Sequence, residues 1–335
     1  MTPPTKRART SSTSSETIAV DAITLSKLKQ HESLWFEDGN IVLATDVHLY
    51  SVHRGVLARN STFFKEMLEL PNVGNTSISE VGSIGNGDSW EGKPLVRMVG
   101  DSDEDVYHIL MAIYDSRFYR AQKPSTLPII LSLVRMSTKY DFPSIRDEVT
   151  SHLEPQYPTD LKLLKVRDSA HLVLDFKEED DFQLLVVAEQ CNVKAILPLL
   201  YLDCAALPLD DILSASEAVD LQRSSFLRIL RGHEQLSKYT NQYGTLAFLP
   251  EQSCMRTCQS ARIKLFAKYV KDPPKYAVHR LLLGNEPDDY ENLRPSVCEI
   301  CTKASSEALK AFQSEVWNAI PGMFELGTWE DYKRE

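Results

Sequence analysis

The 335-residue chain has no apolar run of about 18 residues free of charge, the length a membrane-spanning helix requires. Its first stretch, Met1 to Glu16, is polar and lacks the apolar core of a secretory signal. Cysteine is scarce: six in a chain this long are too few for a disulfide scaffold. Together these absences predict an intracellular protein, in nucleus, cytoplasm or both, whose thiols are free or metal-bound. Basic excess is missing as well. Forty-seven acids against 37 bases give a net charge of -10, which speaks against broad nucleic-acid binding, although a local basic patch is compatible with it. His-Glu-x-x-His, Gly-x-Ser-x-Gly, Walker and kinase signatures are all absent, and none of the eight histidines lies at metal-ligand spacing from another. The expectation is a protein without catalytic activity, with no membrane segment and no direct nucleic-acid contact. A metal-dependent enzyme remains the distant alternative, needing an open coordination position and a general base that the sequence does not reveal.

What is present is enough apolar material for a sizeable core, 43% of residues, over a length that suits about two domains. Met1 to Glu16 reads as a disordered tail with Pro3, Pro4 and a Ser/Thr run. Within it, Lys6, Arg7 and Arg9 form a short basic motif, read either as a nuclear-import signal or as a solvated tail. Ile41 to Ala44 and His48 to Val52, joined by Thr45-Asp46, predict a β-hairpin. Val56, Leu57, Phe63, Phe64, Met67 and Leu68 then predict two short helices, with Asn60-Ser61 as break and cap. Glycines among Asn, Ser and Asp from Pro71 to Pro94 predict a long unstructured loop. Gly85-Asn86-Gly87 there is no phosphate loop, because no Gly-Lys-Ser/Thr follows.

Leu95 to Val99 predicts a strand, and Asp101, Ser102 or Asp103 can cap a helix running to Tyr114. More helix is expected after Pro128 up to Lys139, from Ile145 to Leu153, and from Leu207 to Ser237. Tyr140-Asp141-Phe142-Pro143-Ser144-Ile145 resembles Cys191-Asn192-Val193-Lys194-Ala195-Ile196, 51 positions later. Each joins two apolar-periodic segments through an Asp/Asn turn, which suggests related helical hairpins. The acids Glu178 to Asp181 suit a helix N-terminus. Pro321-Gly322 is expected to stop a helix over Ser305 to Asn318.

Cys254-x-x-x-Cys258 and Cys298-x-x-Cys301 form the one metal-ligand constellation. Two close pairs can supply four thiolates to a tetrahedral zinc, a closed structural site without an open position. The competing reading is four free thiols. Each pair precedes a predicted helix, Arg262 to Val270 and Ser305 to Asn318, and helix N-termini favour thiolate. Cys191 and Cys204 lie on apolar faces and are expected in the core.

Leu34 to Tyr114 resembles the BTB/POZ family, its fungal members above all. The resemblance is carried by Trp35-Phe36-Glu37-Asp38-Gly39-Asn40-Ile41-Val42-Leu43, Tyr50-Ser51-Val52-His53-Arg54-Gly55-Val56-Leu57-Ala58 and Ser61-Thr62-Phe63-Phe64-Lys65-Glu66-Met67. Val96-Arg97-Met98-Val99 and Asp105 to Leu110 look like the family's next strand and helix, and Lys139 to Arg146 like a helical turn that follows. The late cysteine pairs and the stretch Val316-Trp317, Pro321, Phe324, Leu326, Trp329 resemble fungal members too. Asn40 stands where many animal members carry an Asp, with Asp38 two residues earlier, so the family's charged pocket is in question.

The resemblance implies an α+β fold, a small β-sheet flanked by α-helices, followed by an α-helical extension and a small Cys-containing C-terminal subdomain. The expected boundaries are 1–29 tail, 30–120 BTB/POZ domain with a disordered loop at 71–94, 121–240 BACK-like extension, and 241–335 with both Cys pairs. The implied function is protein–protein interaction as adaptor or assembly factor, including substrate adaptor of a cullin-based ubiquitin ligase. The alternative is a nuclear transcriptional or chromatin regulator without its own DNA-reading module. Expected signature and surface residues are Asp38, Asn40, His53, Arg54, Leu57, Ser61, Phe64 and Met67, with Val56, Leu57, Phe63 and Phe64 in the core. His53 is expected to be buried and hydrogen-bonded, and Arg54 to pair with Asp38 or Asp46 or to face solvent. A cullin and a second copy of the chain are the partners the family suggests, the latter through a helix over Ile18 to Leu28, which is shorter than the family's usual dimer helix and equally compatible with a monomer. One structural zinc is the only cofactor expected.

Overall fold

A computed structural model describes residues 25, 27–70, 89–164, 172–248, 254–272, 282 and 296–332. The basic motif at Lys6, Arg7 and Arg9 lies outside them, as do residues 71–88 of the expected loop and most of the expected helix over Ile18 to Leu28. The chain divides into two compact units, one of residues 1–118 with 140–144, the other of 119–139 with 145–335.

The first unit is built on a five-stranded mixed sheet in the order β1-β3-β2-β5-β4. β2 (Ile41–Ala44) and β3 (His48–Val52) form the expected antiparallel hairpin, with Leu43 opposite Tyr50. All four residues of β2 are buried, so both faces of this central strand are covered. Val42 and Ala44 point to one face and cluster with Leu49 and Leu95; Ile41 and Leu43 point to the other. β1 (Lys29–Trp35) adds a parallel edge strand on β3, with a register shift between Gln30 and Trp35. It occupies residues the sequence assigns to tail and lead-in. Six of its seven residues face solvent at least in part, so no alternation marks it.

α1 (Arg54–Asn60) and α2 (Thr62–Glu69) follow as a helical hairpin. Ser61 caps α2: its Oγ accepts the Phe64 N–H at 3.0 Å and donates to the Tyr140 carbonyl at 2.5 Å. Leu57 and Phe64 are core, whereas Phe63, expected beside them, is 42% exposed, because consecutive helical residues cannot share one face. β4 (Ser89–Trp90) and β5 (Lys93–Arg97) form a tight hairpin at the end of the expected loop. Glu91 and Gly92 make its turn with φ of 49° and 75°. β5 therefore starts two residues earlier than the sequence suggests, and Val99, expected in the strand, is exposed. α3 (Asp103–Tyr114) is capped by Ser102, whose side chain accepts from the Asp105 N–H.

Among the described residues the second unit is helical apart from a two-residue pair, β6 (Ser125–Thr126) with β7 (Val173–Leu174). Its described α-helices are α4 (Leu127–Lys139), α5 (Pro143–Leu153, whose first two residues belong to the sheet unit), α6 (Leu161–Leu164), α7 (Asp180–Gln190), α8 (Leu197–Ala206), α9 (Leu209–Glu217), α10 (Arg223–Phe248), α11 (Arg256–Lys271) and α12 (Glu299–Met323). The two related turns share their backbone device. Asp141 and Asn192 both take left-handed φ, 47° and 55°, and both are followed by a buried apolar residue, Phe142 and Val193. Asp180 and Asp181 lie in the first turn of α7, as the acidic run suggests.

α10 is the spine of this unit and packs on α8, α11 and α12. The expected boundary between 240 and 241 falls inside it. Two glycines let partners close in: a Cβ at Gly232 would run into the ring of Phe324, and one at Gly244 into the ring of Tyr269. α12 is longer than Ser305 to Asn318 at both ends, and Pro321 lies within it. Proline cannot donate to the carbonyl four residues back. Here that carbonyl, of Trp317, accepts instead from the Trp329 indole N–H at 2.6 Å, while the two indoles stack 4.4 Å apart.

Candidate functional site

The four late cysteines converge. The Sγ atoms of Cys254, Cys258, Cys298 and Cys301 all lie within 4.8 Å of one another. Cys258 sits in the first turn of α11; Cys298 is the N-cap of α12 and Cys301 lies in its first turn. Two helix N-termini thus point at one group of sulfurs, a placement that favours thiolate. The Cys298 N–H points at the Cys258 sulfur, 3.3 Å away. Cys258 and Cys301 are buried, Cys254 and Cys298 half-buried. Burial, reinforced by the three neighbouring thiols, pushes the Cys301 thiol up to about 12. Without a counter-charge Cys301 holds its proton, and a cation at the cluster would displace it.

Arg262 completes the arrangement, and the sequence reading passed over it. It is 6% exposed, donating from Nη2 to the Phe248 carbonyl at 2.7 Å and from Nη1 toward Cys301 Sγ at 3.8 Å. A buried guanidinium requires acceptors, and the Phe248 carbonyl and the Cys301 sulfur supply them. The signal was spacing: Arg262 is four residues after Cys258, on the same helical face. Cys191 and Cys204, at 6% and 0% exposure, are core thiols, and burial raises the pKa of both.

The donor set fits a tetrahedral metal. Bonds of about 2.3 Å from metal to sulfur place the sulfurs about 3.8 Å apart, and the observed group needs only small adjustment to reach that. No fifth His, Asp or Glu joins the cluster among the described residues.

In the sheet unit, His53 is half-buried rather than buried. Its backbone N–H donates to the Tyr114 hydroxyl at 2.9 Å, its Nδ1 is 3.1 Å from that hydroxyl, and its Nε2 is 3.2 Å from Asp38 Oδ1. The exposed Asn40 accepts from the Arg54 N–H at 2.7 Å and so caps α1, a role His53 leaves open at that helix end. Asp38 thus pairs with His53, and Arg54 finds neither Asp38 nor Asp46: its guanidinium donates to the Leu68 carbonyl near the end of α2 at 3.3 Å. Leu57, Ser61 and Phe64 are buried and shape the core, Met67 is half-buried, and Phe63 and Leu70 are the large apolar side chains exposed along α2 and its end.

A polar cluster that the sequence did not reveal joins β1, β3 and α3. Asp103 accepts from Thr45 Oγ at 2.5 Å and the Tyr50 hydroxyl at 2.9 Å, and lies 2.7 Å from His48 Nδ1. Burial opposes its ionisation, but these three hydrogen bonds and the His48 charge prevail and hold its carboxyl below the usual value. His31 stacks on Tyr50 at 5.0 Å and meets His48 edge-on at 5.1 Å; burial, then His48, lowers its pKa. Through Asp103 the cluster bonds β3 and the turn before it to the start of α3.

No family model matches the chain, and neither does any curated protein or solved structure.

Proposed function

We propose that the chain is a protein–protein interaction adaptor of the BTB/POZ type, with a structural zinc at Cys254, Cys258, Cys298 and Cys301. The observation that supports the first part is the order of elements in the sheet unit: strand hairpin, helical hairpin, a strand parallel to β2, then α3. That is the order the resemblance implies, on the residues that carry it. The unit also offers Phe63 and Leu70, 42% and 57% exposed, near the acid-containing end of α2, a surface of the kind an adaptor presents to a scaffold. The proposed partner is a cullin scaffold, in nucleus or cytoplasm, and no catalytic step is assigned to the chain.

Zinc would supply charge neutralisation and a rigid link between the starts of α11 and α12. The cysteines would hold it, and Arg262 would offset the negative charge that four thiolates leave. With four protein ligands the centre has no position for substrate.

The deciding experiment is a pull-down of the tagged full chain from its native cells, repeated with Phe63→Asp/Leu70→Asp. A cullin that co-purifies with the first and is lost with the second supports the adaptor. Chromatin proteins without cullin would replace it by the nuclear reading. An interactome unchanged by the substitutions moves the partner surface elsewhere. Metal analysis of the purified chain should give one zinc per molecule, lost in Cys258→Ser.

A further inference from the structure

The solvent face of α11 is patterned. Its sequence has five basic residues, Arg256, Arg262, Lys264, Lys268 and Lys271, and no acid before Asp272 at its C-terminal cap. In a chain of net charge -10 this is the opposite of the average. Cys258, Ala261, Arg262, Leu265 and Tyr269 form its buried face. The other side carries two parallel stripes. Ile263, Ala267 and Val270 are spaced i, i+4, i+7 and all exposed, Ile263 by 61% and Val270 by 58%. Lys264, Lys268 and Lys271 repeat that spacing one residue on, about 100° further round the helix. Isolated exposed apolar residues need no explanation, but an aliphatic stripe in register with a cationic one does. The same region carries Met255 and Ile300, 69% and 71% exposed, each next to a cysteine of the cluster.

We propose that this face of α11 docks an acidic amphipathic helix of a partner protein. Such a helix, with aliphatic residues at i, i+4, i+7 and Glu or Asp beside them, covers both stripes at once: apolar area gives affinity and the carboxylates give register. The other polyanions fit less well. A nucleic acid would satisfy the lysines and leave Ile263 and Val270 in water. A bilayer would receive Ile263 and Val270, with Met255 and Ile300 in the same region, but no exposed aromatic from this face, while the chain's net negative charge opposes an anionic surface. The surface belongs to the helical unit, and the proposal does not rest on the adaptor function.

The test uses the full chain and a synthetic, fluorescently labelled helical peptide with Leu at i, i+4, i+7 and Glu at the adjoining positions, read by anisotropy. Saturable binding is expected, weakened about tenfold in Lys264→Glu/Lys271→Glu and again in Ile263→Ser/Val270→Ser, and falling as salt rises. Circular dichroism of each variant should match the parent, since all four side chains are exposed. A peptide with Lys in place of Glu should bind the Lys264→Glu/Lys271→Glu chain more tightly than the parent, which a folding defect cannot produce. Absence of binding, or binding indifferent to these substitutions, overturns the proposal. So does preferential, peptide-insensitive capture of duplex DNA or of phosphatidylserine vesicles by the same face.

Discussion

A single indole settles the end of α12. Pro321 frees the Trp317 carbonyl in a buried place, and Trp329 Nε1–H fills it. Trp329→Phe keeps an aromatic ring over Trp317 but removes the donor, so it should cost about 1–3 kcal/mol, the penalty of an unpaired buried acceptor, measurable by urea denaturation. His152 makes a pH-dependent contribution. It is 1% exposed, stacked on Tyr119, and its Nε2 lies 2.9 Å from the Leu172 carbonyl, so that nitrogen carries the proton and donates. Nδ1 is buried without a partner. Burial dominates and lowers its pKa from 6.5. Below the unfolded-state value the unfolded chain binds the extra proton and the folded chain resists it, so stability is full above about pH 6.5 and declines as pH falls through that value. The loss of thermal stability from pH 7.5 to 5.5 should be smaller in His152→Gln than in the parent; an equal loss would place the titration elsewhere.

Elements depend on a few backbone and cap residues. Asn192 turns α7 into the segment leading to α8 with φ of 55°, a conformation that costs β-branched side chains most. Asn192→Gly should be close to neutral and Asn192→Val should destabilise by about 1–2 kcal/mol, by chemical denaturation. The first turns of α11 and α12 are held together at the cysteines, 40 residues apart from Cys258 to Cys298. Removal of the proposed zinc by a chelator should raise amide exchange first in those turns. Much of this scale was legible in sequence. The β2–β3 hairpin followed from alternation, α2 from Ser61 as its cap, and the paired turns from Asp141 and Asn192. β1 was not legible, because an edge strand such as Lys29–Trp35 leaves its outer groups to solvent and needs no apolar alternation. The true end of α12 was hidden because proline ordinarily stops a helix, and its compensation comes from Trp329, eight residues on. The cysteine group could be proposed from its two close pairs, whereas Asp103 and His48, 55 residues apart, carry no local signal of their meeting.

For the molecule as a whole, the spine of the helical unit is poorly suited to stand alone. Gly232 and Gly244 each cost an isolated helix about 1 kcal/mol relative to alanine, yet both are needed where Phe324 and Tyr269 approach. Gly232→Ala should therefore lower the unfolding midpoint even though alanine is the better helix former, and Gly55→Ala, in open space on α1, should leave it unchanged or raise it. During synthesis the consequence is one of timing. The hairpin and helices of the sheet unit can close on themselves once residues up to about 144 have emerged, because 140–144 belong to that unit. α10 is translated long before Phe324 and Trp329, and until those residues clear the ribosome its glycine-lined face is open, so the nascent helical unit is the stage at which a chaperone has most to cover.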